Sequence, residues 1–208
     1  FNFSVVKATQ FYRLIIVSCV FSLFLSFLWM KPNFIIYLLA TIGAVLQLIS
    51  FALFYILIKS FKNKIKAVFG DFNFKILQFV LLLFLLKISM QALSALPYFS
   101  IITYTYLDFV IGYLHLTFLG IVTLTVLVFL NHFKIILLPK IWTRIYLLGF
   151  ITSEALIFYK GMCIWQQVNY TENYYLYLVI ASSFLPISIL GIFSTTIFKN
   201  YSTLQESL

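Results

Sequence analysis

The chain has 208 residues, 63% of them hydrophobic, 20% aromatic and only 9% charged, with a formal net charge of +9. A soluble domain carries about 25% charged residues, so a water-soluble globular fold is excluded, and apolar runs recur that match the roughly 20 helical residues needed to cross a ~30 Å hydrocarbon core. The ten-residue alternation of a membrane β-barrel is absent, which leaves an all-α, polytopic transmembrane bundle, because only helices and closed barrels satisfy the backbone inside lipid.

Six spans are expected within one transmembrane domain covering 1–208: 14–30, 34–58, 76–98, 109–130, 145–165 and 174–198. Phe1 is not an initiator methionine, and no short apolar core with a small-residue cleavage site follows it, so a signal peptide is not expected. Cys19 and Cys163 fall in different apolar runs, have no CxxC partner, and read as buried apolar thiols. Lys31-Pro32-Asn33 predicts a tight turn after the first span, since proline removes a donor and restricts its predecessor. Lys59 to Lys75 reads as the longest polar connection.

The third span carries Lys87, Gln91 and Ser94 at i, i+4 and i+7, one stripe of one helix. The fourth carries Asp108, Gly112 and His115 in a similar stripe. The short link from Phe99 to Leu107 makes these two spans an antiparallel hairpin, so the stripes are expected to face each other. Asn131 to Arg144 is amphipathic and is expected to lie along the interface, with Trp142 at headgroup level and His132 solvated. Between spans five and six, QQVNYTENYY is a tyrosine-rich interfacial loop that includes the sequon Asn169-Tyr170-Thr171.

With six spans both termini share a side. That side collects Lys7, Arg13, Lys59, Lys62, Lys64, Lys66, Lys75, Lys134, Lys140, Arg144 and Lys199, whereas the other has Lys31, Lys160 and the acids Asp108 and Glu172. The positive-inside rule therefore puts both termini in the cytoplasm. The basic run KSFKNKIK is what this topology requires. It points to anionic lipid headgroups and gives no reason to expect nucleic-acid binding.

Lys87, His115 and Glu154 fall well inside spans, where a Lys or an acid costs about 2.5–3.5 kcal/mol on insertion scales and normally faces the bundle interior. At ~1.5 Å per residue, Lys87 and Glu154 lie roughly 16 and 14 Å from the cytoplasmic edge, a match in height that permits an ion pair. His115 lies roughly 9 Å below the outer edge, level with Gln91 and Ser94. Such polar groups often bond only across a helix interface, for about 0.6–2 kcal/mol. An imidazole is also the commonest metal ligand and a proton carrier. Lys160 reads as snorkelling to the outer interface.

K-x3-Q-x2-S-x2-P in span three (Lys87, Gln91, Ser94, Pro97), followed by IGYLHLTFLG in span four, resembles bacterial membrane proteins related to the haem-copper oxidase catalytic subunit and to NnrS-type haem- and copper-containing proteins. The resemblance covers residues 83–130. It implies a haem or copper cofactor faced by His115, a redox role, and a bacterial inner membrane. It also implies a chain that is the carboxyl-terminal half of a longer protein, working with that half or with other membrane subunits. The two histidines are seventeen positions apart, about 25 Å along a helix, and cannot share one metal. Further donors would come from a missing half, a partner subunit, or Met90. P-loop, GxGxxG, HExxH and GxSxG motifs and paired catalytic carboxylates are absent. Three expectations result: a redox-associated subunit, a structural or assembly subunit, and a small-solute or proton transporter using Lys87 and Glu154.

Overall fold

The computed structural model describes residues 2–30 and 33–205. Helix α1 (Asn2–Ser22) tightens into a 3-10 stretch, Leu23–Met30. Then come α2 (Phe34–Ser94), α3 (Pro97–Thr105) and α4 (Leu107–His115). A π-helical stretch, Leu116–Thr123, joins α4 to α5 (Leu124–His132). Helices α6 (Lys140–Trp165) and α7 (Tyr174–Gln205) complete the bundle. Five helical stretches are long and apolar enough to cross a membrane: Val5–Leu25, Phe34–Ser94, Leu107–His132, Lys140–Trp165 and Tyr174–Phe198. The turn expected at Lys31-Pro32 lies outside the described residues.

The 61 residues of α2 are not one rod. At Gly70 the backbone takes φ 77° and ψ 163°, a region essentially restricted to glycine. The chain doubles back there. Phe51 and Phe84 bring their ring centroids to 5.8 Å, and the Tyr37 and Ser100 hydroxyls meet at 3.3 Å. Spans two and three of the sequence reading are thus the two limbs of α2. The polar connection expected over Lys59 to Lys75 is helical apart from Gly70. Its lysines, alanine and valine follow one another without proline, and long unbranched cationic side chains are good helix formers. Lys66 and Asp71 pair across the bend at 3.0 Å, well exposed.

Helix α1 lies antiparallel to the first limb of α2, with Phe11 stacked on Phe54 at 4.9 Å. Gly43 makes the approach possible: a Cβ there would sit 2.8 Å from the Phe21 backbone carbon and 2.9 Å from the Ser22 nitrogen. Lipid tails are as apolar as leucine, so close van der Waals contact through small residues holds such helices together. Gly43→Leu is therefore expected to destabilise the protein by about 1–3 kcal/mol through overpacking, read as a lower melting temperature in detergent and earlier proteolysis within α1. Cys19 is exposed on α1 and Cys163 half-buried, which corrects the expectation of two buried thiols.

The half of the bundle nearer the Gly70 bend holds the main core, including Leu83, Leu116, Leu124, Val128, Tyr146 and Phe150. The segment 133–139 closes it from below. Ile136 and Leu138 are buried, and the Leu137 and Leu138 amides donate to the Thr196 hydroxyl and the Asn131 side-chain oxygen at 3.0 and 3.1 Å. Asn131 also donates to Asn73 at 3.2 Å. The interfacial amphipathic element expected over Asn131 to Arg144 is corrected: a non-helical plug is followed by the start of α6. Trp142 packs against Gly191, and the His132 ring lies 4.6 Å from that of Phe69.

Candidate functional site between the fourth-span helix, α6 and α7

Three glycine contacts set the antiparallel register of the fourth-span helix on α6. A Cβ on Gly161 would lie 3.2 Å from that of Asp108, one on Gly112 would lie 2.9 Å from the Phe158 ring, and one on Gly120 would lie 2.6 Å from the Phe150 ring. The stripe Asp108–Gly112–His115 therefore faces α6 and α7. The expected meeting of this stripe with Lys87, Gln91 and Ser94 is corrected. Helical spacing tells which residues share a face, and here small residues on two helices selected the neighbour.

Where α4 begins and α6 ends, Lys160 donates to an Asp108 carboxylate oxygen at 3.0 Å, with the two side chains only 18% and 17% exposed. The ammonium also lies 5.7 and 5.5 Å from the ring centroids of Tyr174 and Tyr175, within cation–π range. Lys160 is thus a bound counter-ion, not a freely snorkelling side chain. Asp108 lies at the start of α4 and Lys160 near the end of the antiparallel α6. Their equal height was a signal available in the sequence.

Below this pair is a cavity of about 410 Å3 lined by His115 together with Asp108, Ile157, Lys160, Tyr174 and Ser182. The His115 Nδ1 is buried and has no hydrogen-bond partner. By the same register, His115 is level with Glu154 on the facing helix. Glu154 is 8% exposed, lies between Phe150 and Phe158 at i±4 spacing on α6, and neither carboxyl oxygen accepts a hydrogen bond. Buried polar groups are paired in the great majority of cases, so two such groups at one depth need an explanation.

The backbone is also irregular there. The π-helical stretch begins at Leu116, directly after His115, and such insertions are frequent at functional sites. Inside it the Leu119 carbonyl accepts from the Tyr146 hydroxyl at 2.9 Å, and the Thr123 hydroxyl donates to the Phe118 carbonyl at 2.8 Å. No periodicity in the sequence announces a π turn.

No family model, characterised protein or solved structure matches the chain. The reading of the site therefore rests on its own geometry.

The ion pair expected between Lys87 and Glu154 is not formed. Among the described residues the ion pairs are Lys66–Asp71 and Lys160–Asp108. Lys87 instead donates to the Gln91 side-chain oxygen at 3.0 Å and lies over the Phe84 and Tyr113 rings at 6.0 and 5.8 Å. Glu154 belongs to the face of α6 whose phenylalanines fill the glycine notches. The two side chains share a height and point to different neighbours. Ser94 returns its hydroxyl to the Gln91 carbonyl at 2.9 Å.

The donor set of this chain does not fit a haem or copper ion. The flat notches at Gly112 and Gly120 are filled by Phe158 and Phe150. Met90 lines a different cavity from His115, and among the described residues no three His, Cys, Asp or Glu side chains converge. The one carboxylate lining the His115 cavity, Asp108, is already paired with Lys160 at 3.0 Å.

Proposed function

We propose that the chain is a proton-handling membrane protein whose outer-half polar path runs from the Asp108–Lys160 pair through His115 to Glu154. The observation that carries this reading is the level placement of His115 and Glu154 on facing helices, each with buried polar atoms that no protein group satisfies. Imidazole and carboxyl are the side chains that exchange protons most readily near neutral pH. An ionisable residue within a span is by default a functional candidate. The cavity beside His115 supplies access from the outer side, and the Asp108–Lys160 pair sets the charge at its mouth. Proton flux in proteoliposomes, compared between the wild type and Glu154→Gln, tests the path.

In this reading the two limbs of α2 count as separate passes, so the bundle crosses a bacterial inner membrane six times with both termini cytoplasmic. The lopsided distribution of lysine and arginine supports this orientation. Single cysteines placed at Asn63 and Glu172 in a cysteine-free background are expected to react differently with a membrane-impermeant reagent in intact cells. Only the Glu172 position is expected to be labelled, and labelling at Asn63 alone would reverse the topology.

A redox-associated role with His115 facing haem or copper is the second reading, favoured by the unpartnered Nδ1 alone. It requires every other donor to come from another chain. A third role, assembly within a larger complex, leaves His115 and Glu154 as packing groups and is separated from the first by the flux experiment.

A further inference from the structure

A second cavity, about 750 Å3, lies on the opposite side of the fourth-span helix, walled by the 3-10 stretch after α1, the end of α2, α3, α4 and the end of α6. Its size falls in the roughly 300–1,000 Å3 range of ligand pockets. The wall is mostly apolar (Leu25, Met90, Phe99, Val110, Leu114 and Trp165 among others). Its serine and threonine hydroxyls are already spent on the backbone: Ser22, Ser94, Ser100 and Thr103 each donate to a carbonyl one turn earlier. Gln91 and Tyr113 are also on the wall, and Lys87 is in contact with both. Its ammonium is 3.0 Å from the Gln91 oxygen and 5.8 Å from the Tyr113 ring centroid.

Lys87 is a half-buried cation whose partners are a neutral amide and two aromatic faces, and among the described residues no carboxylate lies within 4.0 Å of it. Lysines inside spans normally pair with an opposite charge. Here the missing charge and the apolar cavity lie side by side. We propose that this cavity binds a long-chain fatty acid, its carboxylate at the Lys87–Gln91 end and its hydrocarbon chain along the wall under α3. A carboxylate supplies the counter-charge, and a hydrocarbon chain suits the largely apolar wall. The site shares no residue with the His115–Glu154 path, so it stands or falls separately from the proton-handling reading.

The chain has three tryptophans, and Trp165 is on the cavity wall. With Trp29 and Trp142 replaced by phenylalanine in the full chain, a dibrominated stearic acid is expected to quench Trp165 fluorescence saturably. Its methyl ester is expected to bind about tenfold more weakly, a ~1.4 kcal/mol difference. Lys87→Met is expected to weaken the acid by a similar factor, and Lys87→Arg to retain it. Equal, non-saturating quenching by acid and ester would mean only bulk partitioning and would overturn the proposal. Saturable quenching by a dibrominated phosphatidylglycerol in preference to the free acid would also overturn it. If Lys87→Met does not fold, the acid–ester comparison on the lysine-bearing chain decides.

Discussion

Replacing Glu154 with glutamine is expected to lower proton flux in proteoliposomes by about tenfold or more, since a positioned proton-transfer group is worth roughly 10²–10⁴ in rate. Glutamine keeps the volume of the side chain and can donate and accept hydrogen bonds, but it cannot carry a proton on or off. The substitution therefore separates transfer from packing. Because neither oxygen of Glu154 accepts a hydrogen bond, no existing bond is lost, and the melting temperature in detergent is expected to stay at the wild-type value or rise. His115→Gln is expected to slow the same flux without removing it, because the cavity brings solvent close to the next group inward. Undiminished flux in Glu154→Gln would remove Glu154 from the path and leave the assembly role as the better reading.

The sequence made the membrane class legible and located the apolar runs well. The runs expected at 109–130 and 145–165 fall within the long apolar helical stretches Leu107–His132 and Lys140–Trp165. Hydropathy succeeds here because lipid imposes one rule on every backbone group. What it does not carry is the choice of neighbour. His115 was expected to face Gln91 and Ser94 because the link between spans three and four is short. In the fold that link is itself a helix, α3, and the end of α2 and the start of α4 line the larger cavity. The contact that decides the arrangement is Gly161 beside Asp108, a pairing 53 positions apart in the chain. Helical rise gave the relative heights of His115, Glu154 and Lys87 but not their partners, for which rotation about the helix axis matters as much as height.

The Asp108–Lys160 pair is where rotation, height and charge all agree, and breaking it from either end is expected to have the largest effect on stability. Removing one partner of a buried pair costs about 3–5 kcal/mol because the survivor is left uncompensated. With side chains 17% and 18% exposed, solvent screens part of that charge, so about 2–3 kcal/mol is expected for Asp108→Asn or Lys160→Met, measured by thermal or denaturant unfolding in detergent. Lys160→Met is expected to be the milder of the two. Methionine leaves no cation near the Tyr174 and Tyr175 rings, whereas Asp108→Asn leaves an ammonium with the two ring faces and a neutral amide oxygen but no counter-charge. The double substitution to Asn and Met removes both charges and is expected to recover most of the loss, with a coupling of at least about 1 kcal/mol in the double-mutant cycle. Strictly additive losses would show that the two groups act separately despite the 3.0 Å contact. The cycle also bears on the path. If the pair sets the charge at the mouth of the His115 cavity, the recovered double mutant is stable and yet slower in proton flux than the wild type. A purely structural pair would return both properties together.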